Sequence, residues 1–145
     1  MTALGRLTGV SFSDGSPAET VGYDANTYGM GRLTAFTDSA GGTEFSYNSL
    51  GQLIQESRTN SGMTALSTVY GYDPANADLG SITYPSGLVV SYGRDSNGRI
   101  ATILADNVPL IGTISYMPFG PAEDYDMIAG GAVLLPSEMV LPLAS

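Results

Sequence analysis

The chain has 145 residues, enough for one small domain with a modest core, and a formal net charge of −9. It contains no Cys, His or Trp, and its five basic residues are all Arg. These absences exclude Ser-His-Asp and Cys-His nucleophile systems, zinc sites built on Cys or His, and lysine-dependent Schiff bases or phosphate loops. Five arginines against fourteen acidic residues also argue against nucleic-acid binding, which depends on cationic side chains.

The composition predicts an all-β chain. Glycine and proline number 19 and 8, yet 43% of the residues are apolar, and many turns between short apolar stretches are typical of β-structure. The opening sequence MTALGRLTGV lacks the basic and then apolar regions of a signal peptide. No stretch approaches the roughly 20 apolar residues of a membrane-spanning helix, so we expect no membrane span.

Three β-hairpins are predicted in chain order from β-branched and aromatic residues, with strands at 33–37 and 43–48, 80–84 and 88–92, and 99–105 and 110–117. Their predicted turns are 39–42, 85–87 and 106–109. No segment shows a helical apolar period. One hairpin is only marginally stable in water, so we expect consecutive antiparallel hairpins to share one curved sheet strip.

A repeat organises these hairpins. Tyrosines close similar stretches at intervals of 20 to 25 residues, and most are followed by a turn, a glycine, one further residue and an aliphatic residue. The tyrosine supplies a large apolar ring with one hydrogen-bonding hydroxyl. The glycine can adopt a positive φ, and the Asp or Asn after the tyrosine can hydrogen-bond the backbone of a turn. The repeat signature, for which we expect structural roles only, comprises Tyr23, Asp24, Gly31, Arg32, Leu33, Tyr47, Gly51, Leu53, Tyr72, Asp73, Gly80, Ile82, Tyr92, Gly98, Arg99, Ile100, Tyr116 and Gly120.

This signature resembles the YD repeat of Rhs-type proteins, most clearly over residues 72–103 and 114–121. The resemblance covers about residues 4–121. In that family, long arrays of repeats coil as a β-sheet strip into a hollow shell, which in bacteria commonly encloses a C-terminal toxin domain. Related shells occur in insecticidal toxin complexes, wall-associated proteins and teneurins. The resemblance implies a structural shell segment without catalysis or cofactor, from a secreted or surface-displayed parent, whose partners are further repeats and an enclosed toxin.

The pattern divides the chain into residues 1–121, the YD-type hairpin repeats, and residues 122–145, a tail expected to be irregular or weakly ordered. Family shells need many more repeats, so we expect this chain to be a fragment of a longer array. The family's self-cleavage region carries an Asp-Pro-x-Gly-type sequence. Asp73-Pro74 is followed by Ala-Asn-Ala-Asp and lies mid-array, so no protease residues are carried over.

Two glycine-containing loops resemble ligand sites. Asp95–Gly98 begins like a calcium loop, but its twelfth position, Asp106, follows an apolar run that we assign to a strand. Gly29–Arg32 begins like a dinucleotide loop, but Thr34 stands where a third glycine is needed, and no helix pattern follows. We interpret both loops as turns of the repeat and expect no metal or cofactor.

Other polar features leave alternatives open. The acidic run at 123–126 suits a cation or a pair of catalytic carboxylates, but a solvated linker is the preferred interpretation. Arg6, Arg32 and Arg99 share one repeat slot, where we expect pairing with a carboxylate on a neighbouring strand. The repeated tyrosines suit a surface-binding adhesion module that stacks on glycans, which is the main alternative; a carboxylate-based enzyme ranks last. Open sheet edges predict self-association.

Overall fold

A computed structural model describes residues 1–2 and 4–128. These residues form an all-β fold of antiparallel strands and contain no helix. Eleven strands lie in the described residues. They are β1 Gly9–Val10, β2 Glu19–Tyr23, β3 Leu33–Asp38, β4 Gly41–Tyr47, β5 Leu53–Asn60, β6 Leu66–Tyr72, β7 Leu79–Thr83, β8 Val89–Arg94, β9 Ile100–Ala105, β10 Val108–Tyr116 and β11 Ala122–Met127.

The chain divides into two compact units, Met1–Ser91 and Tyr92–Ser145. In the first unit every strand pairs with the next strand in sequence, from β1 to β8. In the described part of the second unit, β10 pairs with β9 on one side and β11 on the other. Each unit therefore consists of consecutive antiparallel strands, as the sequence predicts.

The two faces of the first unit carry different side chains, because residues opposite each other in the ladder share a face. One face is bulky: Val21 lies opposite Phe36, and Tyr70 lies opposite Ile82. The other face carries mainly smaller or polar side chains, with the ladder pairs Thr20–Thr37, Ser57–Ser67 and Ser81–Ser91. This alternation is the period of two expected of strands.

No hydrophobic side chain among the described residues is fully buried. Among the described residues, the buried ones are Gly29 and two threonines, Thr34 at 2% exposure and Thr43 at 7%. The strands are held by their backbone ladders and by side chains that are half-buried against neighbouring strands. The bulky face of the first unit therefore lacks the covering layer that sheets normally pack against.

The predicted hairpins are present with small shifts at their turns. The turn between β3 and β4 contains only Ser39 and Ala40, because Asp38 already pairs with Gly41. The last hairpin turns at Asp106 and Asn107, which both have positive φ. Pro109, predicted as a turn residue, lies in β10, where the register shifts after it. Strands β1, β2, β5, β6 and β11 have no counterpart among the predicted strands.

The beginning of the tail differs from the expectation of irregular structure. Residues 122–127 form β11, which pairs with β10 through Ile114–Tyr125 and Ser115–Asp124. All six side chains of β11 are exposed, so this strand is held mainly by its backbone ladder. The prediction for residues 129–145 lies outside the described residues.

Candidate functional site

Three hairpins of the repeat are closed by a hydrogen bond from their tyrosine. The Tyr47 hydroxyl at the end of β4 donates to the carbonyl of Leu33 at 2.7 Å. Equivalent bonds run from Tyr72 to Leu53 at 2.8 Å and from Tyr116 to Ile100 at 2.7 Å. The acceptor is always the first residue of the hairpin's first strand. The hydroxyl therefore joins the end of a hairpin to its beginning.

The arginines of the repeat slot stack on three of the repeat tyrosines. The guanidinium carbon of Arg6 lies 4.4 Å from the centre of the Tyr23 ring, and that of Arg99 lies 4.4 Å from the Tyr116 ring. Arg32 lies 5.5 Å from the centre of the Tyr47 ring. Each distance is within the range of a cation–π contact. The arginine therefore covers the ring that closes its own hairpin, a role that the sequence analysis missed.

The carboxylate partners of these arginines come from loops and vary along the chain. Arg6 forms a bidentate pair with Asp24, the residue after its tyrosine. Arg99 pairs at 2.8 Å with Asp95 of its own loop, four residues earlier. Arg32 donates instead to the carbonyls of Met30 at 3.1 Å and Gly51 at 3.3 Å. The expected carboxylate on a neighbouring strand is therefore wrong for Arg99 and Arg32.

The loops between hairpins share one backbone geometry. The first N–H of a five-residue loop donates to the fifth carbonyl, and the fourth N–H donates back to the first carbonyl. In the loop that begins at Asp95 these bonds are 2.8 Å and 3.0 Å long. The fourth residue, Gly98, has a φ of 79°, a conformation that favours glycine. The same pair of bonds closes the loops 2–6, 48–52 and 117–121, and it also closes the turn 84–88 within the hairpin of β7 and β8.

The Asp95 loop is a turn, as the sequence predicts, because its carboxylate is used within the loop. The Oδ1 atom of Asp95 accepts from the N–H groups of Asn97 and Arg99, both at 2.9 Å. Its Oδ2 atom accepts from Nε of Arg99 at 2.9 Å. The backbone N–H of Arg99, with its guanidinium and the N–H of Asn97, lowers the pKa of Asp95. Among the described residues, no cluster of three acidic side chains is placed to hold a metal ion.

Asp24 and Asn48 occupy the equivalent position in earlier loops. Asn48 accepts from the N–H groups of Leu50 and Gln52 at 3.0 Å. Asp24 accepts from the N–H of Gly31 at 2.6 Å, and its hydrogen bonds to Arg6 lower its pKa. Its N–H donates to the Arg32 carbonyl at 3.2 Å, which closes a longer version of the loop. The loop that begins like a dinucleotide motif is therefore an extended repeat turn.

The third repeat requires a correction to the signature. Gly80 and Ile82 lie inside β7 and do not occupy the loop-glycine and first-strand positions. Ala77 has the positive φ, 62°, that glycine has elsewhere. Asp73 donates its N–H to Asp78 at 2.8 Å, and Leu79 opens the strand opposite Tyr72. The structural equivalents are therefore three residues earlier, and the sequence hid them because alanine replaces glycine.

Position 52 shows what replaces arginine in the slot. Gln52 donates through Nε2 to the carbonyl of Ala77 at 2.6 Å, and its Oε1 accepts from Asn48 at 2.9 Å. It therefore links two successive loops of the first unit.

Most of the other signature residues occupy equivalent positions in their repeats. Leu33, Leu53 and Ile100 open their strands, Gly31 and Gly51 have φ near 78°, and Tyr92 lies in β8. At Gly120 the positive φ, 58°, belongs instead to Phe119.

A further polar cluster spans β3 to β5. Arg58 binds the carboxylate of Asp38 at 2.8 Å and 3.0 Å and donates to Thr43 at 3.2 Å. Asp38 also accepts from the N–H groups of Ala40 and Gly41. The guanidinium of Arg58 is the main cause of the lowered pKa of Asp38. This cluster was hard to predict from the sequence, because Arg58 lies outside the repeat slot. It contacts Asp38 only because of the register in which β3, β4 and β5 pair.

The acidic run lies on an exposed strand, and two of its carboxylates, Asp124 and Asp126, line a small cavity of about 110 Å³ in the second unit. Glu123, Asp124 and Asp126 lie on the exposed strand β11. In the second unit a cavity of about 610 Å³ is lined by Asn97, Arg99, Tyr116, Pro118, Phe119 and Gly120. Arg99 is its charged group and is already paired with Asp95. In the described part of the chain, no helix is long and apolar enough to cross a membrane.

Comparisons with known proteins add evidence about the fold. No protein-family model matches the sequence, and no curated protein matches it. Similar solved structures include TcdB2-TccC3 without its hypervariable C-terminal region and the complex TcdB2-TccC3-Cdc42. Each has a TM-score of 0.66 and 16% sequence identity over 84% of this chain. This chain spans 7% of the length of each matched chain. The fold of these repeats therefore occurs within far longer polypeptides.

Proposed function

We propose that the chain is a structural segment of a YD-type repeat shell, which in its full-length parent encloses a C-terminal toxin domain. The observation that carries the proposal is the use of the repeat residues within their own hairpins. Tyr47, Tyr72 and Tyr116 bond to carbonyls, and arginines cover three of the repeat rings. These residues stabilise a hairpin and leave few polar groups for a substrate.

The uncovered bulky face supports the same role. A sheet without a buried hydrophobic core needs further protein against it, and a shell supplies this through its other repeats and its contents. The similarity to TcdB2-TccC3 supports a place in a long chain, because the aligned part is 7% of that polypeptide. We further propose that the parent is secreted or displayed at the cell surface.

The carboxylates support a chain without catalysis of its own. The lowered pKa values of Asp24, Asp38 and Asp95 arise from arginines and backbone N–H groups that also occupy their oxygen atoms. A general acid needs a raised pKa, the opposite shift. The glycan-binding alternative stays a prediction. The rings of Tyr23, Tyr47 and Tyr116 are each covered on one face by arginine, so that face is not open to a sugar.

The test uses an antibody against residues 1–121 to isolate the native polypeptide from its source cells. We expect a polypeptide several times longer than 145 residues, with a C-terminal segment that resists protease until the particle is denatured. The contradicting result is a native polypeptide of about this length, or a longer one whose C-terminal segment is digested at once. Binding on a glycan array that disappears on Tyr28→Ala or Tyr125→Ala would favour the adhesion alternative.

A further inference from the structure

One position of the repeat loop carries large apolar side chains that are exposed. In three loops of the first unit the residue before the loop glycine is Leu4, Met30 or Leu50, with exposures of 79%, 78% and 70%, and in the turn 84–88 it is the polar residue Ser86. In the second unit the same position is occupied by Phe119, at 110% exposure, and by the polar residue Asn97. Repeated exposure of this kind exceeds the scattered apolar residues of an ordinary surface.

Leu4, Met30 and Leu50 lie along one edge of the first unit. Their loops precede β1, β3 and β5, and alternate turns of an antiparallel sheet lie at the same ends of the strands. Successive loops are therefore two strands apart, a pitch of about 10 Å. The loops are also tied together, since Arg6 pairs with Asp24 and Arg32 donates to Gly51. We call these three side chains the apolar loop row.

The arginines beside the row are bound within the chain. Arg6 is paired with Asp24, and the guanidinium of Arg32 is directed to the carbonyls of Met30 and Gly51. With a net charge of −9, the chain offers no basic patch to an anionic membrane or to nucleic acid. Three such side chains expose roughly a few hundred Å² of apolar surface, the size of patch that marks an interaction site.

We propose that the apolar loop row is a seam that packs against the same row of a second copy of this chain. A partner must present apolar groups at a pitch of about 10 Å, and another run of the same repeats does so. Two such rows bury roughly 1,000 Å² when their flanking loops are included, which reaches the lower size limit of specific interfaces. A two-fold arrangement brings Met30 opposite its counterpart, because it is the middle residue of the row.

This seam goes beyond the proposed shell, since it names the surface through which two copies of the chain meet. Its test does not need the shell. If the seam exists and the native polypeptide is short, the shell fails alone. If the native polypeptide is long and the chain shows no seam, the seam fails alone.

The absence of cysteine allows a direct cross-linking test on the full 145-residue chain. Met30→Cys is compared with Met63→Cys, because Met63 is similarly exposed, at 65%, but lies in the turn between β5 and β6 at the opposite edge. Under mild oxidation at micromolar concentration, we expect Met30→Cys to form disulfide-linked dimers at least tenfold faster. Equal rates overturn the seam, including the case in which copies associate through their open strand edges.

A second measurement keeps the result independent of the new thiol. We expect the double variant Met30→Ser/Leu50→Ser to weaken dimerisation at least tenfold in sedimentation equilibrium at 0.15 M salt, whereas Met63→Ser leaves it unchanged. A double variant that dimerises as tightly as the parent chain contradicts the proposal. So does a parent chain that stays monomeric but binds phosphatidylcholine vesicles through the row, because the occupant is then a lipid surface. Circular dichroism checks that each variant retains its strands.

Discussion

The tyrosine hydroxyls provide the sharpest test of how a hairpin is closed. Replacing Tyr47, Tyr72 or Tyr116 by Phe keeps the ring and any stacked arginine but removes the hydrogen bond to the first carbonyl of the hairpin. One such bond contributes about 1 kcal/mol net, and the carbonyl left behind stays only partly hydrated. We expect each substitution to lower the free energy of unfolding by about 1 kcal/mol.

The assay is urea unfolding followed by far-UV circular dichroism, with Tyr28→Phe as the matched control. Tyr28 is 46% exposed and lies in a loop, where its backbone carbonyl, unaffected by the substitution, accepts from Arg32. Tyr47→Phe and Tyr116→Phe lie in different hairpins, so their effects should add to about 2 kcal/mol. The reasoning is refuted if all three repeat variants unfold at the same urea concentration as Tyr28→Phe.

Three further predictions follow from the loops. Gly51→Ala and Gly62→Ala both place alanine at a φ near 78°, which costs about 1 kcal/mol, but only at Gly51 does the new Cβ meet the Arg32 guanidinium. Gly51→Ala should therefore lose a further 0.5–1 kcal/mol, about one cation–π contact, in urea unfolding, and equal losses would contradict the stacking. Because the pKa of Asp95 is lowered in the folded chain, its contribution is present above the unfolded value near pH 4 and disappears as the pH falls through the lowered value. The decline in the urea midpoint below pH 4 should be smaller in Asp95→Asn than in the parent chain, and an identical decline would count against it. Calcium titrated to about 1 mM, a concentration at which weak extracellular sites fill, should give no binding heat in calorimetry, whereas saturable heat lost in Asp95→Asn would restore the calcium interpretation.

The strands and the repeat were predictable because both depend on local pattern. Runs of β-branched and aromatic residues located β3, β4, β7, β8, β9 and β10, and the spacing of tyrosines located the ends of hairpins. The turn at Asp95 was also predictable, since Asp, Asn and Gly favour turns for local steric and hydrogen-bonding reasons. The short strands β1 and β11 were not, because β1 has two residues and β11 carries three carboxylates.

Contacts that depend on strand register could not be predicted from the sequence. The stacking of Arg6 on Tyr23 and the pairing of Arg58 with Asp38 each join residues 17 to 20 positions apart, across strands whose alignment the sequence does not specify. The third repeat shows a different difficulty. Ala77 adopts the left-handed backbone conformation usually left to glycine, so a pattern built on glycine selected Gly80 instead.

The central claim is that these hairpins are part of the wall of a closed repeat shell. Electron cryomicroscopy of the native polypeptide that contains residues 1–145 tests it most directly. The account predicts a hollow particle in which residues 4–121 lie in a continuous β-sheet wall around an enclosed C-terminal segment. An open particle without an enclosed segment, or a globular domain in which these residues surround a catalytic cleft, would contradict it.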